Sequence, residues 1–74
     1  MKTVYGEVFK MCDGRWQGGI VIFENGMANC PGLDQHYTSK DKAIVWAEET
    51  AIDYAAECND QGDNAEYAGV RINE

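Results

Sequence analysis

Apolar and polar positions alternate in short runs over residues 4–30, and each run closes on a turn signal. The stretch "VYGEVFKMC" is rich in β-branched and aromatic residues and runs into Asp13-Gly14, a pair favoured in two-residue hairpins. "RWQGGIVIF" predicts a second strand, the most apolar in the chain. It ends at "ENG", where Asn25-Gly26 suits the positive φ angles of a tight hairpin. "MANC" predicts a short third strand closed by Pro31-Gly32. Residues 4–30 therefore predict a three-stranded antiparallel meander. Gly18-Gly19 interrupts the second strand, which predicts a bulge or a place where a helix packs close to the backbone. Backbone contact with a ligand is the functional alternative there.

From residue 38 the period changes. "TSKDKAIVWAEETAIDYAAECND" places Ala43, Ile44, Ala47, Ala51, Tyr54, Ala55 and Cys58 within an arc of roughly 120° at helical spacing, the usual core-facing width. Thr38 and Asp41 have capping-box spacing, with Ser39 as the rival N-cap. Val45, Ile52 and Ala56 form a weaker apolar stripe on nearly the opposite side. The polar "NDQGDNAE" then predicts a loop, and "YAGVRI" a last strand with Ala68, Val70 and Ile72 on one face. The expected fold is α+β, one domain over residues 1–74 in the order β-β-β-α-β, with the meander packed against one helix.

Composition sharpens this picture. With eight alanines, one leucine (Leu33) and β-branched residues in the predicted strands, the core is small and suits a helix lying close to a sheet. A 74-residue chain buries a modest share of its surface, so a dimer or a bound partner would supply extra burial. No stretch approaches the roughly 20 apolar residues of a membrane span. The N-terminus lacks the continuous apolar region of a signal peptide. Cys12, Cys30 and Cys58 are odd in number and widely spaced, which fits reduced thiols and a cytoplasmic location.

Charge is distributed unevenly. Residues 1–47 hold five basic and five acidic side chains, whereas residues 48–74 hold eight acidic ones and only Arg71. The whole net charge of −7 thus sits in the last third. Direct binding of nucleic acid there is disfavoured, because phosphate would be repelled, while a basic protein would be steered toward it.

Candidate chemistry is sparse. "CPGLDQH" brings Cys30, Asp34 and His36 within seven residues, but triads are assembled by three-dimensional geometry, and a turn with a buried cysteine and an exposed histidine is the simpler reading. Three scattered cysteines and one histidine lack the paired spacing of a zinc site. "NDQGDNAE" lacks the alternating ligands of an EF-hand, and neither "QGG" nor "ENG" has phosphate-loop spacing. The chain reads as non-enzymatic, with no cofactor, metal or catalytic residue assigned.

Binding residues are easier to nominate. Glu49, Asp53 and Glu57 stand four apart on the helix with no basic residue interleaved, so they repel one another. Glu57 and Asp60 also oppose the helix dipole at its C-terminal end. The row is spaced about 6 Å per step, a coarse likeness to the regular negative charge of a nucleic-acid backbone. A solvated helix face is the plainer explanation, although solubilising faces ordinarily mix signs. Trp46 lies beside the row, either as an interface anchor or covered by a loop or the last strand. Trp16 reads as core or cross-strand packing.

The segment "CPGLDQHYTSKDKAIVWAEETAIDYAAE" resembles the middle of HicB-type antitoxin domains, through Pro31, Gly32, Leu33, Thr38, Ala43, Ala47, Glu48, Glu49 and Ala51. The family's Gly-Asp-Thr stretch before the helix is shortened here to "YTSKD", and the residues after the matched segment do not read as a DNA-binding domain. The resemblance implies a sheet with one helix, and an acidic domain that occludes a small basic ribonuclease. The expectation is a partner-binding protein that uses Trp46, Glu49, Asp53, Glu57, Asp60 and Asp63 against a basic, nucleic-acid-handling partner, as an antitoxin or a phage-type inhibitor. A homodimer formed through the Val45, Ile52 and Ala56 stripe or an open sheet edge is the alternative.

Overall fold

The computed structural model describes residues 1–32 and 34–74. Among them, five strands and one helix follow in the order β1 (Lys2–Lys10), β2 (Trp16–Glu24), β3 (Met27–Asn29), β4 (Asp34–Tyr37), α1 (Lys40–Asp60) and β5 (Ala65–Asn73). The α+β architecture agrees with the expectation, and β1, β2 and β3 form the predicted antiparallel meander. Leu33, one of the positions carrying the family resemblance, lies outside the described residues.

The sheet runs β3-β2-β1-β5, with β4 also paired to β2. β3 and β4 share one edge of β2: β3 pairs with residues 22–24 and β4 with residues 16–19. β5 lies parallel to β1 on the other side, reached through α1. A parallel neighbour needs such a long crossover, so the helix is also the connection.

Turn chemistry sets the two hairpins. Asn25 (φ 55°) and Gly26 (φ 79°) form the expected two-residue turn between Glu24 and Met27. Asp13-Gly14 behaves differently from expectation. The Met11 N–H donates to the Arg15 carbonyl and the Gly14 N–H to the Met11 carbonyl, with Gly14 at φ 87°. This is a three-residue loop ending in a left-handed glycine. Asp13 accepts from both the Arg15 N–H (3.0 Å) and the Arg15 Nε (2.8 Å), which fixes the loop.

One face of the sheet receives α1. Val4, Val8, Ile20 and Ile22 meet Ala43, Ala47, Ala51 and Ala55, with Tyr54, Tyr67, Trp16 and Val70 around them. Val4 and Val8 are fully buried, each worth about 1.5–3 kcal/mol over an exposed side chain. The alanines let the helix come close, and two glycines complete the fit. A Cβ on Gly6 would lie 2.9 Å from the Ala47 carbonyl oxygen, and one on Gly18 would lie 2.9 Å from the Trp46 ring and 3.0 Å from the Ala43 carbonyl oxygen. Gly18-Gly19 therefore marks close helix packing rather than a bulge, since the β1–β2 register runs unbroken past it.

Three local expectations are corrected. The segment read as a turn before the helix contains β4, whose polar residues pair through their backbones with β2. Ser39, not Thr38, caps α1: it has extended backbone angles, and its Oγ accepts from the Lys42 N–H at 3.5 Å. In β5 the alternation breaks at a bulge, where Ala68 and Gly69 together oppose Tyr5. Gly69 takes φ 106° there. Tyr67 and Val70 consequently share the helix-facing side, and Ala68 is exposed instead of joining Val70 and Ile72.

Past the helix, the loop is built rather than loose. The Gly62 N–H donates to the Asn59 carbonyl (3.1 Å) and the Asp63 N–H to the Cys58 carbonyl (2.9 Å), with Gly62 at φ 91°. That pattern is a Schellman termination of α1. The Asn59 side chain then holds Ala65 at both its N–H and its carbonyl, each at 2.9 Å.

Candidate functional site

Positions 46, 49, 53, 57 and 60 recur at three- and four-residue steps, so they lie along one side of α1. Because the alanine arc faces the sheet, this side points outward, and Glu49, Asp53, Glu57 and Asp60 are all exposed. The Trp46 ring rests over Gly18 of β2, so the row leans toward the β2–β4 side of the sheet and away from β5.

Trp46 resolves into a mixture of its two readings. It is half-buried and packs on the cluster of Val8, Ala43 and Ala47. Its remaining surface lines a groove of about 350 Å³ with Tyr37, Asp41, Lys42, Val45 and Glu49. The floor is aromatic and aliphatic, while the rim carries two carboxylates and one ammonium. Val45 is 53 % exposed beside it. Such a recess accepts an apolar stem whose cationic end stays among the carboxylates.

The nominated carboxylates divide into two groups. Among the described residues no ion pair involves Glu49, Asp53, Glu57 or Asp60. Asp63, by contrast, is paired with Lys2 at 3.3 Å and stands apart from the helix row. Its hydrogen bond raises the pKa of Lys2. Glu57 lines a separate small recess with Tyr54, Cys58 and Gln61, so only Trp46 and Glu49 share the groove. The last turn of α1 contains no basic residue, and among the described residues no ion pair offsets the repulsion along the row.

Elsewhere, cations are already engaged. Arg15 holds Asp13, whose carboxyl is pushed below its ordinary range first by the Arg15 N–H and then by the guanidinium. Lys40 pairs with Glu74 and lowers that carboxyl's pKa by its side-chain hydrogen bond and then its charge, and it also lies 5.3 Å from the Trp16 ring centre. Arg71 lies 4.1 Å from the Tyr5 ring centre, on the sheet face opposite the helix, where Tyr5 and Phe23 meet edge-to-face. Tyr67 is shifted upward by burial, reinforced by Glu48.

Cys30 and Asp34 line one shallow recess with Glu7, Phe9 and Gln17, and His36 is not among its lining residues. The Asp34 carboxylate accepts from Gln17 Nε2 at 2.9 Å, and Cys30 is exposed, contrary to the buried thiol expected in that turn. Among the described residues no group of three or more His, Cys, Asp or Glu side chains is placed to hold a metal ion. No helix there is long and apolar enough to cross a membrane.

The groove has no signature in the sequence. Tyr37 and Asp41 give no sign of it until β4 pairs with Trp16 and the helix start swings over β2. No family model, no curated protein and no solved structure matches this chain.

Proposed function

We propose that the outer side of α1 docks a basic protein surface, of the kind that handles nucleic acid, and occludes it. Glu49, Asp53, Glu57 and Asp60 meet cationic side chains, and the Trp46 groove receives one apolar or arginine stem. The observation that carries this reading is the run of exposed, single-sign carboxylates with no internal ion pair, next to an aromatic recess rimmed by Asp41 and Glu49. An antitoxin or a phage-type inhibitor would act in this way. Asp63 contributes less in this scheme, since Lys2 already neutralises it.

Complementary charge accelerates encounter, and the effect fades as salt shortens the screening length to about 8 Å at physiological strength. A partner captured at low salt from the native host is therefore expected to associate more slowly with Asp53→Lys than with the unaltered chain. Stopped-flow association over a salt series measures this. An affinity and an on-rate indifferent to both salt and Asp53→Lys would remove the proposal.

A further inference from the structure

The two edges of the sheet are treated in opposite ways. On the β2 side, β3 and β4 are three and four residues long, and Pro31 and Gly32 stand in the break between them. Short strands and proline are the usual means of blunting an edge. On the other side, β5 runs nine residues without proline or lysine, and among the described residues nothing pairs with its outer edge. We propose that this edge pairs antiparallel with β5 of a second copy, about a two-fold axis between Ala68 and Gly69.

The register follows from the bulge. Cross-strand partners must share a face of the sheet, so a regular strand can pair with its own copy only about an axis through a residue. In β5 the extra residue at Ala68-Gly69 reverses the alternation, which puts Glu66 and Arg71 on one face and Ala65, Tyr67, Val70 and Ile72 on the other. An axis between Ala68 and Gly69 then places Glu66 opposite the second copy's Arg71, Tyr67 opposite its Val70, and Ala65 opposite its Ile72. Every pair shares a face. Opposite charges meet twice, and Ile72, 46 % exposed in the single chain, gains an apolar neighbour. A bulge ordinarily protects an edge from a straight strand. Against its own copy it does not, because both strands carry the same extra residue at the axis and no slip remains.

The product is an isologous dimer in which a sheet four strands across becomes eight, with both helices on one face. The acidic rows lean toward β2 in each copy and so remain free at the two ends. Salt screens both the repulsion between two chains of charge −7 and the two Glu66–Arg71 pairs, so association through β5 is expected to change little with salt. That response differs from the steep weakening expected for the acidic side of α1, so either assignment can fail alone.

Sedimentation equilibrium on the full chain tests the pairing, with the expected mass about twice 8.2 kDa. Glu66→Arg puts like charges opposite each other twice and is expected to weaken self-association on the order of tenfold or more. Adding Arg71→Glu to that variant restores the opposite-charge pairs and is expected to recover the dimer. A chain that stays at 8.2 kDa at all concentrations, a Glu66→Arg dimer of unchanged strength, or a double variant that remains monomeric would each overturn the proposal. Amide exchange on the unaltered chain decides the matter even where a variant fails to fold. The outward β5 amides should exchange slowly when concentrated and faster on dilution, and uniformly fast exchange would overturn the pairing.

Discussion

At Gly6 and Gly18 the backbone of the sheet lies almost against α1, and replacing Gly6 with alanine is a demanding test of how the helix is seated. An added Cβ would stand 2.9 Å from the Ala47 carbonyl oxygen, 3.0 Å from the carbonyl carbon and 3.1 Å from the Ala47 Cβ. Two of those three atoms are helix backbone, so no rotamer change relieves the clash. α1 must lift off β1 as a body, loosening Val4 and Val8 on either side of Gly6. Overpacking of this kind costs about 1–3 kcal/mol, against which alanine recovers about 0.4–1 kcal/mol by restricting the unfolded chain. The net expectation is a loss of about 1–2 kcal/mol. In a domain this small that lowers the melting temperature by roughly 4–8 °C per kcal/mol. Urea unfolding followed by circular dichroism reads the change as a lower midpoint with an unaltered slope. A Gly6→Ala chain as stable as the original, or more so, would refute the close seating of α1.

Other consequences can be measured separately. Asn59→Ala removes both side-chain bonds to Ala65 and is expected to destabilise by about 1 kcal/mol, with faster amide exchange at Ala65; unchanged exchange would contradict the clamp. Glu57→Lys relieves repulsion in the row and complements the helix C-terminus, so it is expected to raise stability by about 0.3–1 kcal/mol while weakening partner association. The lowered Asp13 carboxyl adds stability that is complete above the ordinary aspartate value and is lost as pH falls through its folded midpoint. Arg15→Ala is expected to raise that midpoint only part of the way in an NMR titration, because the residue-15 N–H, the largest cause, survives the change.

The core face of α1 could be read from spacing alone, since an alanine every fourth residue leaves few alternatives, and Ala43, Ala47, Ala51 and Ala55 all pack as that pattern demands. Asn25-Gly26 was equally legible, because the two positive φ angles are a property of those residues. β4 was not, because Asp34, Gln35 and His36 are polar and exposed, so no hydrophobic alternation marks them. The β5 bulge arises from its parallel partner β1, and Gly69 alone does not announce it. Gly6 looks like a weak point in a strand until Ala47 is seen across from it. At the site, four-residue spacing revealed the acidic row. Its lack of internal partners, the pairing of Asp63 with Lys2 from the far end of the chain, and the groove under Tyr37 are all products of tertiary packing.

On the proposed docking, the exposed carboxylates of α1 are retained, against helix stability, for a cationic counterpart. That docking is tested most directly by neutralising Glu49→Gln, Asp53→Asn and Glu57→Gln together, then comparing association rates with the captured partner at low and high salt. Fast, steeply salt-dependent association is expected for the original chain, and slow, nearly flat association for the neutralised one. Equal rates at every salt concentration, with only a higher melting temperature in the neutralised chain, would contradict it.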